Sequence, residues 1–392
     1  MNEPAKRILY VEGNVDGTVG GSYYSLFFLA SGLDRTRFEP IVVFSVDTDI
    51  SPRFREAGIT TMIKPPPKPI VIRGPVGRFV SKAFNFVRGW VMEPMRLAAW
   101  LRRMEIALVH LNNSIVKNHP WMLAAHLARI PCITHERGIN DRFLGRARWL
   151  ARHLDAVICI SSAVRDNFVA HGLGHLHLVT IQNGLDPVEM RATRAVSEVR
   201  SELGVQTGAR LVGIVGNIKS WKGQEVVIRA IAKLKDEFPS LVCLLIGDTS
   251  PDAARYRTEV LALIDRLGLV GRVLVTGFRR DVANYINTLE IQIHASIAPE
   301  PFGRVLLEGM ALEKPLVASR GGAVPEIVID RRTGLLFEPG DPGALADALR
   351  TLLADPALGQ RMGREGRRRL DTEFSIEKNI RQTESLYESL LT

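Results

Sequence analysis

Two glutamates with seven residues between them stand out in the segment PEPFGRVLLE, residues 299–308. Glu300 lies between two prolines in a loop, and Glu308 follows six residues into a helix that we predict to start at Phe302. At a rise of about 1.5 Å per residue, Glu308 stands roughly 9 Å from the helix start, about the length of a diphosphate. One carboxylate could accept sugar hydroxyls and the other ribose hydroxyls, with phosphate over the helix N-terminus between them. The alternative is a pair of surface glutamates on an ordinary amphipathic helix.

A glycine-rich loop at residues 12–22, EGNVDGTVGGS, follows the first predicted strand. Gly20 and Gly21 lead into a helix predicted to begin near Ser22. Paired glycines allow a ligand to approach the backbone closely, and a helix N-terminus favours an anion. A simple turn between a strand and a helix is the alternative.

A second such loop, GNIKSWKG at residues 216–223, contains two lysines. Lys219 and Lys222 could place ammonium groups against phosphate, supported by a helix predicted to start near Lys222. A solvated lysine pair is the alternative.

Two further features follow predicted strands. His135 ends one strand, where it could hydrogen-bond a substrate or simply be a satisfied core histidine. Gly321 and Gly322 form another glycine turn after a later strand, and ligands of open α/β sheets bind beyond the carboxyl ends of the strands. The sequence therefore predicts a binding crevice built from several such loops.

Several other chemistries lack support in the sequence. No GxGxxG or GxxxxGK[ST] motif occurs, which argues against nicotinamide-dinucleotide and P-loop enzymes. No His/Asp cluster suggests a metal, so we expect neither metal nor cofactor. Cys132, Cys159 and Cys243 are odd in number and lie in apolar runs, as expected for buried free thiols in a reducing compartment.

The elements that must position these residues form two α/β units. A chain of 392 residues exceeds what one hydrophobic core usually serves. Short apolar runs alternate with helical patterns throughout, which predicts two doubly wound domains with parallel sheets. We predict strands at residues 7–11, 40–44, 107–111, 132–135, 156–160 and 178–181 in the first half, and at 211–215, 241–246, 273–276, 291–294 and 315–318 in the second. The predicted domains span residues 1–187 and 188–374, and periodicity alone does not assign the last helix, residues 375–392, to either.

Taken together, these residues resemble the retaining nucleotide-sugar glycosyltransferases of the GT-B fold, glycosyltransferase family 4. The resemblance rests on EPFGRVLLEGMALEKPLVASRGGAVPEIV, on WKG, on TIQNGLDP and on GGS near the N-terminus, and it spans nearly the whole chain. It implies two Rossmann-like domains facing across a cleft, the first binding the acceptor and the second the nucleotide sugar. It also implies that the C-terminal helix crosses back to the first domain.

The resemblance assigns roles residue by residue. Glu300 would contact the donor sugar, Glu308 the ribose, Phe302 and Gly303 would offer backbone amides, and Lys222 would neutralise the diphosphate. Gly20 and Gly21 would approach the donor phosphate, and His135 would lie beside the reacting face of the sugar. Glu300, His135 and Lys222 are thus the catalytic candidates. The family usually has arginine where this sequence has Asn217, and Lys219 is the candidate substitute in the donor site.

The net charge of +9 is concentrated in one segment. Residues 64–103 contain nine basic residues and one acid, giving +8, and are interleaved with Phe and Trp. We predict that this segment binds an anionic membrane surface, with Arg78, Lys82, Arg88 and Trp90 as membrane-facing candidates. The alternative is an ordinary helix whose aromatic residues face the core. A charge so localised does not favour nucleic acid as a partner.

The resulting hypothesis is a metal-independent retaining hexosyltransferase that serves cell-surface polysaccharide or glycolipid synthesis on a glycan or lipid-linked acceptor. The sequence has no apolar run long enough to span a bilayer and no signal-peptide pattern, so we expect a cytoplasmic protein, peripheral on the cytoplasmic face of the membrane. The alternatives are a nucleotide-sugar epimerase of the same fold and a non-catalytic nucleotide-sugar-binding protein.

Overall fold

The computed structural model describes residues 4–15, 20–113, 115, 118–249 and 253–392. The chain divides into two compact units, unit 1 comprising Met1–Gly184 with Ile376–Thr392 and unit 2 comprising Leu185–Ser375. The division falls after Gly184, slightly before residue 187 where the sequence placed it.

Unit 1 is built on a seven-stranded parallel sheet with the strand order β3-β2-β1-β4-β5-β6-β7. Its strands are β1 (Lys6–Glu12), β2 (Phe38–Phe44), β3 (Thr60–Ile63), β4 (Ile106–Leu111), β5 (Cys132–Glu136), β6 (Ala156–Cys159) and β7 (Leu178–Thr180). Its helices are α1 (Gly21–Gly32), α2 (Ser51–Glu56), α3 (Pro75–Val87), α4 (Glu93–Arg103), α5 (His119–Ala128), α6 (Gly145–Ala151) and α7 (Ser162–Ala170). A π-helical turn, Arg88–Met92, joins α3 to α4.

Unit 2 is built on a six-stranded parallel sheet with the order β10-β9-β8-β11-β12-β13. Its strands are β8 (Arg210–Val215), β9 (Leu241–Ile246), β10 (Val273–Gly277), β11 (Ile291–His294), β12 (Leu316–Ser319) and β13 (Gly334–Phe337). Its helices are α8 (Val196–Glu202), α9 (Gln224–Leu234), α10 (Ala254–Arg266), α11 (Val282–Thr288), α12 (Arg304–Ala311), α13 (Val324–Ile327), α14 (Pro342–Ala354) and α15 (Pro356–Glu373), with 3₁₀ turns at Pro187–Met190 and Ser220–Lys222.

The final helix, α16 (Ile376–Leu391), belongs to unit 1. Ile376, Leu386 and Tyr387 are buried in the same core as β1 and β2. The Tyr387 ring lies edge-on to Phe38, with 5.7 Å between the ring centroids. The last residues of the chain therefore complete the core that its first strands begin.

The two parallel-sheet domains expected from the sequence are confirmed, and each sheet contains one strand that the sequence did not predict. Both of these strands, β3 and β13, lie at a sheet edge. All three cysteines are free and buried. Among the described residues, no helix combines the length and apolar character needed to cross a membrane.

Candidate functional site

Glu300 lies in the loop between β11 and α12. The helix begins at Arg304, not at Phe302 as predicted, because Gly303 precedes it in the left-handed conformation with φ of 85°. A residue in that conformation lies outside the helix as its N-cap. Glu308 is consequently the fifth residue of α12, and its side chain is 14% exposed and accepts a 3.3 Å hydrogen bond from Arg304 Nε.

The Glu300 carboxylate is buried among polar partners that all meet one of its oxygens. Oε2 accepts hydrogen bonds from Lys222 Nζ at 2.7 Å, from Ser296 Oγ at 3.0 Å and from His294 Nε2 at 3.2 Å. Burial acts to raise the pKa of Glu300, but the His294 hydrogen bond and the Lys222 charge outweigh it and lower the pKa to about 2. Glu300 is thus ionised at neutral pH. Within the described residues, Oε1 has no hydrogen-bond partner and can accept one from a ligand.

A glycine turn holds the backbone of Glu300. Glu300 forms an isolated β-bridge with Gly322, and its carbonyl oxygen accepts a 2.8 Å hydrogen bond from the Ala323 amide. Gly322 has φ of 58°, and a Cβ at that position would overlap the Glu300 carbonyl oxygen. This close approach explains why the turn after β12 contains glycine.

Lys222 reaches Glu300 from a turn that also depends on glycine. It ends the 3₁₀ turn at Ser220–Lys222, and its ammonium group lies 4.0 Å from the centroid of the Trp221 ring. Gly223 follows with φ of 75°, where a Cβ would overlap the Ala295 carbonyl oxygen. Helix α9 therefore starts only at Gln224, so the predicted helix start near Lys222 is wrong.

The other predicted residues of unit 2 lie around this pair. Asn217 is exposed, and its carbonyl oxygen accepts a 3.0 Å hydrogen bond from Gln224 Nε2. Lys219 is half-buried in the same loop, and Lys222 forms an ion pair with Glu300. The Phe302 side chain is buried and its ring packs against Phe374, so only its backbone is left for a ligand.

The sequence did not predict that His294 and Ser296 would hydrogen-bond the Glu300 carboxylate. His294 ends β11 and hydrogen-bonds Ser319 Oγ of β12 through Nδ1 at 3.3 Å. Because a carboxylate can only accept, His294 Nε2 donates to Glu300. A histidine at the end of the buried strand IQIH was the available signal.

In unit 1, Gly20 has an extended backbone and precedes α1, which begins at Gly21. Among the described residues, a Cβ at Gly20 would meet no atom within 4 Å, which leaves room for a ligand beside the backbone. Residues 16–19 of the predicted loop lie outside the described residues.

His135, also in unit 1, ends a row of buried hydrogen-bonded side chains. Its Nδ1 lies 2.9 Å from His110 Nε2, and His110 Nδ1 lies 2.6 Å from the Tyr387 hydroxyl. Burial lowers the pKa of His110 to about 3 and that of His135 well below its usual value, so both are neutral. His135 Nε2 is buried and has no partner among the described residues, which is unlike a satisfied core histidine.

Two family models match most of the chain. The model described as Glycosyltransferase Family 4 matches residues 19–189, and the model described as Glycosyl transferases group 1 matches residues 196–369. The second match contains the whole cluster around Glu300.

Individual proteins agree with these matches. The chain is 32% identical over 312 residues to alpha-maltose-1-phosphate synthase of Mycolicibacterium smegmatis, covering 70% of this chain and 78% of that protein. It is 27% identical over 272 residues to the lipopolysaccharide core biosynthesis mannosyltransferase LpcC of Rhizobium leguminosarum bv. viciae, covering 69% and 75%.

Solved structures show the same architecture. The crystal structure of Anabaena Alr3699/HepE in complex with UDP and glucose has a TM-score of 0.80 and 25% identity, and the match covers 97% of this chain and 99% of that one. A glycosyltransferase from Rickettsia africae, at 20% identity, has a TM-score of 0.85 with both chains fully covered and shares the fold.

Proposed function

Since the chain belongs to the glycosyl transferases group 1 within glycosyltransferase family 4, we propose that it transfers a hexose, with retention, from a nucleotide sugar to a glycan or lipid-linked acceptor. Its two parallel-sheet units have the GT-B fold, and it is a glycosyltransferase. The observation that carries the donor assignment is the buried Glu300 carboxylate, paired with Lys222 through Oε2 and open at Oε1. The HepE structure in complex with UDP and glucose supports a uridine nucleotide sugar as the first donor to test.

The proposed donor site lies in unit 2. Glu300 Oε1 accepts hydroxyls of the donor sugar and Glu308 accepts hydroxyls of the ribose. Lys222 uses one N–H for Glu300 and keeps the others for the diphosphate, beside the amides at the start of α12. The cationic group is held in place before the leaving group develops its charge, which is how such groups stabilise a transition state most effectively.

The proposed reaction needs no protein nucleophile. The acceptor hydroxyl oxygen bonds to the anomeric carbon on the face from which the diphosphate leaves, and the bond between that carbon and the phosphate oxygen breaks. The acceptor proton passes to the departing phosphate. Lys222 and the helix amides stabilise the diphosphate charge, so we expect activity to survive a chelator, and loss of activity in EDTA would overturn this part of the proposal.

Synthesis of a cell-surface polysaccharide or glycolipid is the proposed setting, supported by the similarity to LpcC. The basic segment offers a means of reaching a lipid-linked acceptor. Its second half is an ordinary helix, because Pro94, Leu97, Ala98 and Leu101 of α4 are buried. The first half of the segment contains α3, whose apolar side chains are exposed.

Helix α3 turns its apolar face away from the protein. At 100° per residue, five apolar side chains share one face, and all are 47 to 75% exposed: Val76, Phe79, Val80, Phe86 and Val87. The opposite face is held by residues 68–72. Ile72 N donates to Ser81 Oγ at 2.7 Å, and Asn85 Nδ2 donates to the Ile70 carbonyl oxygen at 2.7 Å. The alternative of aromatic residues facing the core therefore does not hold for α3.

The charges beside this face fit an anionic bilayer. Arg78 and Lys82 are exposed and have no carboxylate partner within the described residues. Arg88 donates to the Lys68 carbonyl oxygen. Trp90, like Arg88, is half-buried, and its ring lies 4.5 Å from that of His119. We propose that Phe79 and Phe86 enter the headgroup region of the cytoplasmic leaflet while Arg78 and Lys82 bind anionic headgroups.

Sedimentation with vesicles tests the membrane proposal. Wild-type protein should pellet with phosphatidylglycerol-containing vesicles, less so at high salt, and little with phosphatidylcholine alone. The double variants Phe79→Ser/Phe86→Ser and Arg78→Glu/Lys82→Glu should each weaken binding about tenfold or more. Phe278→Ser and Arg361→Glu alter comparably exposed positions in unit 2 and serve as controls. Equal binding by all variants would sink the proposal.

A panel of nucleotide sugars tests the enzymatic proposal. A donor at about 100 times its Kd should stabilise the protein by about 2.7 kcal/mol, visible as a rise in Tm. Transfer to acceptor with retained anomeric configuration would support the proposal. Sugar interconversion without an acceptor would indicate an epimerase, and binding with neither transfer nor donor hydrolysis would indicate a binding protein. Lys222→Ala should cost more activity than Lys219→Ala, its control in the same loop.

A further inference from the structure

A small cavity lies in unit 1 at the carboxyl end of β5. Its volume is about 140 Å³, and it is lined by Glu136, the last residue of that strand, by Ile115, and by the loop and first turn of α6. Ligands of parallel sheets bind at this end of the strands. A cavity of roughly 150 Å³ admits a molecule the size of benzene, so this one holds a small polar group and is too small for a nucleotide.

Two side chains of the cavity have polar atoms left for a ligand. Glu136 is 4% exposed; its Oε1 accepts a 3.0 Å hydrogen bond from the Ile115 amide, and its Oε2 has no partner among the described residues. Asn140 lines the same cavity, and its side-chain amide makes no hydrogen bond within the described part of the chain. Both groups can therefore pair with hydroxyls.

Two arginines also line the cavity. Arg142 and Arg146 are exposed, and neither has a carboxylate partner within the described residues. Residues 140–152 contain four arginines and one acid, Asp141, giving +3. Burial raises the pKa of Glu136 to about 7, so at neutral pH its charge opposes an anion less than that of an ordinary carboxylate. The cavity thus combines guanidinium groups that suit a phosphate with a carboxyl that suits a hydroxyl.

The surface around the cavity is apolar and continues to α3. Leu144, which lines the cavity, is 59% exposed, and Trp149 on α6 is 46% exposed. The Trp149 ring lies 6.1 Å from that of Trp90, which stacks on Phe86 of α3 at 5.7 Å. The Arg146 guanidinium lies 5.5 Å from the centre of the same Trp90 ring. The cavity therefore lies beside the surface that we propose to contact the bilayer.

We infer that this cavity binds the headgroup of an anionic phospholipid that carries hydroxyls, with the phosphate at Arg142 and Arg146 and a hydroxyl at Glu136 Oε2. Leu144 and Trp149 then contact the bilayer at the level of the headgroups. The inference rests on the membrane contact proposed above and adds a preference among lipids of equal charge. A surface that binds by charge and apolar insertion alone has no such preference.

Two lipids separate these modes of binding. Phosphatidylglycerol and phosphatidylserine carry the same net negative charge, but only the phosphatidylglycerol headgroup has hydroxyls. Wild-type protein should bind vesicles of phosphatidylglycerol in phosphatidylcholine about fivefold more tightly than vesicles with the same fraction of phosphatidylserine, the effect of one or two hydrogen bonds. Equal binding to both vesicles would overturn this inference alone. Binding to neither would overturn the proposed membrane contact as well, so the two failures are distinguishable.

Matched variants locate the preference. In Arg142→Gln/Arg146→Gln, the ratio of the two affinities should fall to roughly one. Arg129→Gln/Arg152→Gln removes the same charge from exposed positions of unit 1 outside the cavity, and should keep the wild-type ratio even where overall binding weakens. Glu136→Ala should also abolish the preference, and the arginine variants decide the question if it does not fold. A wild-type ratio in Arg142→Gln/Arg146→Gln, or an equal fall in both arginine variants, would contradict the site.

Discussion

At the scale of single residues, the unit 2 site is organised by an ion pair in a poorly hydrated position. The side chains of Lys222 and Glu300 are 19% and 9% exposed. Such charges are tolerated when both are hydrogen-bonded, and Ser296 and His294 supply the remaining contacts to the carboxylate. Because the Lys222 ammonium group is already held in place, it loses little conformational entropy when a diphosphate binds.

The two glutamates should differ in their kinetic effects. Glu300→Gln should lower kcat more than it raises the donor KM, because contacts to the sugar ring tighten as positive charge develops there. Glu308→Gln should mainly raise the donor KM, since the ribose does not react. Steady-state kinetics checks both variants, with Glu338→Gln as a control whose side chain is 74% exposed. Wild-type constants in a folded variant would remove that residue from the site.

Glu136 should make stability depend on pH. Its buried carboxyl accepts a 3.0 Å hydrogen bond from the Ile115 amide, but burial dominates and raises the pKa from 4.5 to about 7. The folded state therefore holds this proton more tightly than the unfolded state, and stability is lost as the pH rises from about 4.5 through 7. The full loss is on the order of 3 kcal/mol. Glu136→Gln should remove this pH dependence. The free energy of unfolding in urea should therefore rise in the variant relative to wild type between pH 5 and pH 8. Parallel stability curves would contradict this.

Sequence reasoning identified the charged members of the site but not their arrangement. Lys222 and Glu300 were each expected near phosphate or sugar, yet their pairing joins positions on different loops. It depends on the alignment of β8 beside β11, which no local pattern encodes. His294 was missed although Glu300 follows it by only six residues, and its other partner, Ser319, lies on β12.

At the scale of elements, positive-φ glycines decide where the site helices begin. Gly303 and Gly223 hold the left-handed conformation directly before α12 and α9. Both helices start about one turn or less after the predicted positions. The sequence predicted glycine-rich loops but not which glycine adopts the unusual conformation, because that depends on neighbours such as the Ala295 carbonyl oxygen.

The turn after β12 gives a direct test. Gly322→Ala would place a Cβ against the Glu300 carbonyl oxygen at φ of 58°, which combines overlap with backbone strain. We expect a loss of about 2 kcal/mol or more in the free energy of unfolding and weaker donor binding. Gly321→Ala is the matched control, since its Cβ would approach no atom closer than 3.6 Å. Chemical denaturation of both variants measures the difference, and equal losses would show that Gly322 does not position Glu300.

The sequence predicted the interior strands and the edge strands β7 and β10, but it missed the edge strands β3 and β13. The interior strands are buried on both faces and read as apolar runs, so their positions were predicted within about two residues. β3 has the sequence TTMI with partly exposed side chains, and β13 begins with glycine. β3 and β13 therefore lack the continuous apolar signal by which the interior strands were predicted. The basic segment shows a similar limit, because composition could not separate the buried face of α4 from the exposed face of α3.

At the scale of the whole molecule, one of the two units is built from a single stretch of chain and the other from two. Unit 2 is continuous in sequence and has its own cores, one of them around β8, β9 and β11. Unit 1 needs α16, which contributes the Tyr387 hydroxyl, 2.8 Å from that of Tyr10, and Glu384 as the acceptor for the Asp34 amide at 2.8 Å. Family resemblance, not periodicity, provided the expectation that this helix returns to the first domain.

Truncation after Ser375 removes α16 and should therefore destabilise unit 1, although the rest of that unit lies at the other end of the sequence. Without α16, Tyr10, Phe38 and His110 lose Tyr387, and the Gln182 carbonyl oxygen loses its 2.7 Å hydrogen bond from Asn379 Nδ2. Removing a large aromatic side chain from a core costs about 3 to 5 kcal/mol, and the whole helix costs more. Hydrogen exchange should become faster in β1, β2 and β4. Exchange in β8, β9 and β11 should not change, because the Leu185 amide keeps its 2.9 Å bond to the Phe374 carbonyl oxygen. A chain ending at Leu391 is the control, and faster exchange spread equally over both units would mean that α16 stabilises the molecule as a whole.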